Sequence, residues 1–166
     1  RVDPYQGRYF HPFNARTGIL NIPGINVVGI IPGSVPELKD EYIVLGAHYD
    51  HLGWAVRGGD TVVWNGADDN ASGTATLIEI GRNLAARPES LGRSVVLAAF
   101  DGEESGLLGS SQILEDAVLP PHQVKLMFSL DMVGMYEAHG GVDLHGINNL
   151  NEAGYLVGEL SRSHQL

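Results

Sequence analysis

The sequence contains no cysteine. A disulfide framework is therefore excluded, and so is any metal site built on thiolates, which leaves histidine, aspartate and glutamate as the only strong ligands. Positive charge is also scarce: 10 Lys and Arg stand against 20 Asp and Glu, a formal net charge of −10. Such a balance disfavours a nucleic-acid partner, because a phosphate backbone attracts basic surfaces. Long apolar runs are missing too. None approaches the roughly 20 residues needed to span a bilayer, so no membrane span is expected. The first residues, Arg1 to Arg8, are polar and carry no apolar segment of a signal peptide.

What is present is an ordinary globular balance, with 43% apolar and 18% charged residues in 166 positions. That length suits one domain, 1–166, around one core. Glycine is abundant, at 22 residues, and many lie beside acids and histidines. Residues 1–24, rich in Pro, Gly, Asn and aromatics, read as an irregular lead-in. Apolar β-branched runs predict strands over 25–31, 42–47, 94–100, 124–130 and 142–147. Leu77, Ile80 and Leu84 at helical spacing predict a helix over 72–86. A short helix is expected from about Ser105, another over 151–164, and a surface loop over 53–66. Strands alternating with helices imply an α/β fold, a central and mostly parallel sheet flanked by helices.

Polar residues follow those strands in a consistent way. His48 and Asp50 come just after the second strand, Glu103 and Glu104 after the third, and Asp131 after the fourth. Asp68 and Asp69 open the helix near Ser72. All of them gather at the carboxyl ends of the strands, where open α/β sheets bind ligands. Carboxylates this close repel one another, and a cation resolves the conflict. Imidazole and carboxylate without thiolate suit zinc. Asp68 is the natural bridge between two ions, since one carboxylate can give an oxygen to each. Asp50, on the same side of an extended segment as His48, is placed to accept that ring's second N–H. Adjacent Glu103 and Glu104 diverge, so one binds metal and the other serves as general base. Asp69 reads as the N-cap of the following helix ahead of the alternative, direct metal ligation. Asp101 closes a turn with Gly102, and His51 either touches substrate at the rim or packs in its loop. Trp54, Trp64 and Tyr136 either line a pocket or pack under loops.

Four stretches carry a resemblance: GAHYDH (46–51), NGADDNASG (65–73), DGEESGLLGS (101–110) and SLDMVG (129–134). In order and spacing they resemble the metal-binding motifs of the M28 family of zinc peptidases, from about Asn26 onward. The resemblance implies a two-zinc site with His48 and Asp131 on one ion, Asp68 as bridge and Glu104 on the other. It also implies Glu103 as general base, Asp50 as the partner orienting His48, and a cis peptide between Asp68 and Asp69. The expected activity is zinc-dependent hydrolysis of peptides, foremost as an aminopeptidase, in a secreted or periplasmic setting. The alternatives are a carboxypeptidase, a one-zinc glutaminyl-cyclase-like enzyme, or a non-catalytic remnant acting as a binding or structural module. Family members supply one more histidine to the second zinc from beyond the Asp131 motif. It is expected after Leu166 in a chain incomplete at both ends. His164, on a predicted helix with no motif around it, is not assigned that role.

Overall fold

The computed structural model describes residues 1–146. Its centre is a six-stranded sheet built from β1 (Asp3–Pro4), β2 (Phe10–Thr17), β3 (Leu20–Ile31), β4 (Tyr42–His48), β7 (Ser94–Phe100) and β8 (Val124–Ser129). The order is β1-β3-β7-β4-β8, with β2 also paired to β3. β4 runs parallel to both β7 and β8, whereas β3 is antiparallel to β7, β1 and β2. The expected α/β fold with a central sheet flanked by helices is present, and the sheet is mixed, its parallel pairing lying at β4, β7 and β8.

Of the three parallel strands, β4 and β7 are apolar because both faces are covered, whereas β8 ends the sheet order and is largely exposed. β4 is buried continuously from Val44 to His48, the pattern of a strand between two layers. On one face Leu45, Ala47 and Val95 meet Leu77, Ile80 and Leu84 of α1 (Gly73–Ala85). Approach is close there: a Cβ at Gly81 would stand 2.6 Å from the Leu97 side chain. On the other face Val44, Val96, Ala98 and Phe100 pack with Ile113 of α2 (Leu108–Glu115), joined by Tyr5, Val28 and Leu119.

The lead-in is not irregular. β2 and β3 form a long hairpin turning at Gly18 and Ile19, with Thr17 opposite Leu20. Its inward residues are His11, Phe13 and Ala15, alternating with exposed neighbours. A strand whose buried positions include histidine and alanine lacks the apolar period that marks strands in sequence. The expected loop at 53–66 likewise contains a hairpin of β5 (Trp54–Arg57) and β6 (Asp60–Val63). There Arg57 lies 5.1 Å over the Trp64 ring, so Trp64 packs on its own hairpin, while Trp54 is exposed.

Residues 1–134 form one compact unit, and a second begins at Met135. In the latter, α3 (Tyr136–His139) ends at Gly140 in the left-handed region. Residues 142–146 carry no strand, and the helix expected over 151–164 lies outside the described residues. Among the described residues no helix is long and apolar enough to cross a membrane.

Candidate metal centre

Because β4, β7 and β8 are parallel, their carboxyl ends share one edge, and each delivers part of the site. His48 is the last residue of β4 and is buried, with 5% of its side chain exposed. Thr74 at the start of α1 donates its hydroxyl to the His48 carbonyl at 2.9 Å. The Nε2 atom of His48 stands 3.2 Å from Asp69 Oδ1 and 3.4 Å from Asp131 Oδ1. Ligands around a tetrahedral zinc at 2.0–2.2 Å are roughly 3.3–3.6 Å apart. The two carboxylate oxygens thus stand from His48 Nε2 at close to the spacing of ligands on one ion, and the imidazole–carboxylate donor set suits zinc.

A second group, His51, Asp69 and Glu104, lies beside the first and shares Asp69 with it. Asp69 Oδ1 faces His48 and Asp69 Oδ2 faces His51, 3.7 Å from its Nδ1. In the structure the carboxylate turned toward both histidines is that of Asp69, not Asp68. Asp68 Oδ1 instead accepts the backbone N–H of Gly134 at 2.8 Å. The reason lies in the turn Ala67–Ser72, where Asp69 and Asn70 leave helical geometry (φ −103° and −134°). The cis peptide joins Asp69 to Asn70, one bond later than expected. Nor does Asp69 cap α1. Asn70, buried, does so, its Oδ1 accepting from Gly73 N at 3.0 Å while its Nδ2 donates to the Leu130 carbonyl at 2.9 Å. Ser72 Oγ accepts from Val133 N at 3.0 Å, which completes the suture between this turn and the Asp131 loop.

Asp50 holds the two glutamates in place. Its Oδ1 accepts from Glu103 N at 3.0 Å and its Oδ2 from Glu104 N at 3.2 Å. The expected bond from His48 to this carboxylate is replaced by one to the Asp50 backbone carbonyl, 3.2 Å from Nδ1. His48 Nδ1 stays 3.6 Å from Asp50 Oδ1. The ring is still oriented with Nε2 toward Asp69 and Asp131. Burial raises the pKa of Glu103, opposed by His48 and reinforced by the Glu104, Asp131 and Asp50 carboxylates. For His48 burial acts downward, yet Asp131, Glu103 and Asp50 outweigh it and the pKa rises. Coordination to a cation reverses that preference, since a ligating imidazole is neutral.

A further residue, Asn26, supports the site through a buried network that residue patterning does not reveal. Asn26 is fully buried in β3. Its Nδ2 donates to the Gly109 carbonyl at 2.9 Å and lies 3.2 Å from His11 Nδ1, and its Oδ1 accepts from Asp101 N at 3.1 Å. Asp101 returns a bond, Oδ2 accepting from Ile25 N at 2.9 Å, so it ties strand to loop as well as closing a turn. His11 Nε2 meets Asp116 Oδ2 at 2.9 Å. The network anchors the segment that carries Glu103 and Glu104. The only signal for it was a polar residue heading an apolar strand. Replacing Asn26 with alanine leaves buried partners unsatisfied and should cost about 2–3 kcal/mol of stability, read from denaturant midpoints at constant slope.

An acid-rich, histidine-containing cluster at the carboxyl edge of a mixed α/β sheet is the arrangement of a metal-dependent hydrolase. Peptidase family M28 matches residues 26–153, and the chain belongs to that family. It is 35% identical over 127 residues to a "Probable zinc metalloprotease" of Pyrenophora tritici-repentis (strain Pt-1C-BFP), covering 73% of this chain and 27% of that protein. With Leucine aminopeptidase 1 of Uncinocarpus reesii (strain UAMH 1704) it shares 32% identity over 111 residues, covering 64% and 28%. The chain thus spans about a quarter of the length of these relatives. A solved glutaminyl cyclase from an Acidobacteriales bacterium superposes with a TM-score of 0.59 at 31% identity, covering 75% of this chain and 43% of that one. A zinc aminopeptidase from Bacillus subtilis gives 0.52 at 34% identity, covering 68% and 25%.

Proposed function

We propose that this chain is the metal-binding and catalytic part of a two-zinc exopeptidase that removes N-terminal residues from peptides. The observation that carries the reading is the pair of donor groups meeting at Asp69, with Glu103 alongside. His48, Asp69 and Asp131 would hold one ion, and Asp69 and Glu104 would contribute to the other. Zinc bound there supplies Lewis-acid polarisation of a carbonyl and a water of lowered pKa. Glu103 is then the group that accepts the proton from water and returns it to the leaving amine. Asp50 fixes the backbone of the Glu pair through both its oxygens, so that the base and its neighbour keep their divergent directions. Asn70 and Ser72 hold the Asp131 loop against the Asp69 turn, which fixes the spacing of the shared carboxylate.

The preference for the amino end is supported by relatives named as aminopeptidases. The resemblance to a glutaminyl cyclase favours one second reading, cyclisation of N-terminal glutamine. One assay separates the two. The full-length protein is given peptides with a free N-terminus, the same peptides N-acetylated, and a peptide beginning with glutamine. Free N-terminal amino acids should appear only from unblocked substrates. Pyroglutamate formation without hydrolysis would show the cyclase, and release from the carboxyl end would show a carboxypeptidase.

A further inference from the structure

His51, three residues after His48, stands among the donors of the second cation. Its Nδ1 is 2.7 Å from Glu104 Oε1 and 3.7 Å from Asp69 Oδ2. The contact to Glu104 is too short for two ligands of one tetrahedral zinc, which lie roughly 3.3–3.6 Å apart, whereas the His48 contacts at 3.2 and 3.4 Å lie at or within about 0.1 Å of that range. A separation of 2.7 Å is instead that of an N–H donating to a carboxylate.

The ring is held where it can do this. Gly66, in the left-handed region at φ 64°, lies directly against it. A Cβ there would stand 2.9 Å from His51 Cγ and 2.8 Å from the Asp69 carbonyl oxygen, so only glycine lets the turn close over the imidazole. The neighbouring Asp50 already accepts the Glu104 backbone N–H. Glu104 is thereby gripped twice by adjacent residues of one motif, its backbone by Asp50 and its side chain by His51.

Resting on the two-ion reading above, we propose that His51 is a positioning residue for the second metal. It donates Nδ1–H to Oε1 of Glu104 and so presents that carboxylate to the cation without itself coordinating. Hydrogen-bonded partners of ligating carboxylates tune both orientation and affinity, and losing one costs about 10–100-fold in metal binding. The first ion, held by His48, Asp69 and Asp131, has no such dependence.

The test is stepwise titration of the metal-stripped full-length protein with cobalt(II), followed by calorimetry and by the ligand-field absorption bands. His51→Ala should weaken the second cobalt about 10–100-fold and leave the first unchanged. His51→Gln keeps an N–H donor and should recover part of that loss, with the bands of the second cobalt as in the unaltered protein. An unchanged first-site affinity in both variants reports intact folding. Equal affinity for the second ion in His51→Ala and the unaltered protein would overturn the proposal. So would a changed second-cobalt spectrum in His51→Gln with no recovery, which would make His51 a direct ligand. If the unaltered protein itself takes up no second ion, the two-ion reading fails on its own account.

Discussion

Asp69→Asn should lose both metal ions together, and peptide hydrolysis with them, while Asp68→Asn keeps both. The two residues are neighbours with the same side chain, yet the structure gives them different work. Asp69 turns one oxygen to His48 at 3.2 Å and the other toward His51 at 3.7 Å. Its replacement by a neutral amide removes the carboxylate that the two donor groups share among the described residues. Several kcal/mol of transition-state stabilisation depend on such ions, so the rate should fall about a thousandfold or more. Asp68 accepts one hydrogen bond from Gly134. An asparagine oxygen can still accept it, so Asp68→Asn should cost about 1 kcal/mol of stability and little activity. Metal content by elemental analysis, beside initial rates for both variants, checks the pair.

The second large effect belongs to Glu103. Glu103→Ala should lower kcat by about 10²–10⁴-fold, the usual contribution of a general base, with both ions still bound. That split separates it from Glu104, whose loss should reduce metal content. The pH profile carries the same signature. In the metal-free site burial, opposed by His48 and reinforced by the surrounding carboxylates, raises the Glu103 pKa above the ordinary carboxylate value. Only the ionised form can accept a proton, so kcat/KM should fall on the acid side as Glu103 is protonated, a limb absent from the Glu103→Ala residual rate.

Much of this site was legible from residue order. His48, Glu103, Glu104 and Asp131 each follow an apolar strand, and parallel pairing of β4 with β7 and β8 carries those strand ends to one edge. What the order of residues could not settle was which of two adjacent aspartates faces inward. That depends on the non-helical backbone at Asp69 and Asn70, a local departure with no counterpart in periodicity. Asp50 was placed near the right group, but its carboxylate serves the Glu103 and Glu104 amides, a contact across 53 and 54 residues that no local pattern encodes. Residues 25–31 read as a strand, but β2 and the first half of β3 stayed hidden for another reason. His11 is buried in β2 against Asn26, so a polar residue occupies a position where an apolar alternation would have announced that strand.

If zinc held around Asp69 makes the site active, zinc content and release of N-terminal residues should change together in one sample of the full-length protein. The sample is dialysed against a chelator and then resupplied with zinc. Two zinc ions per chain are expected at the start, with loss of activity in step with their removal and recovery on their return. Undiminished hydrolysis by protein stripped of metal would contradict that dependence.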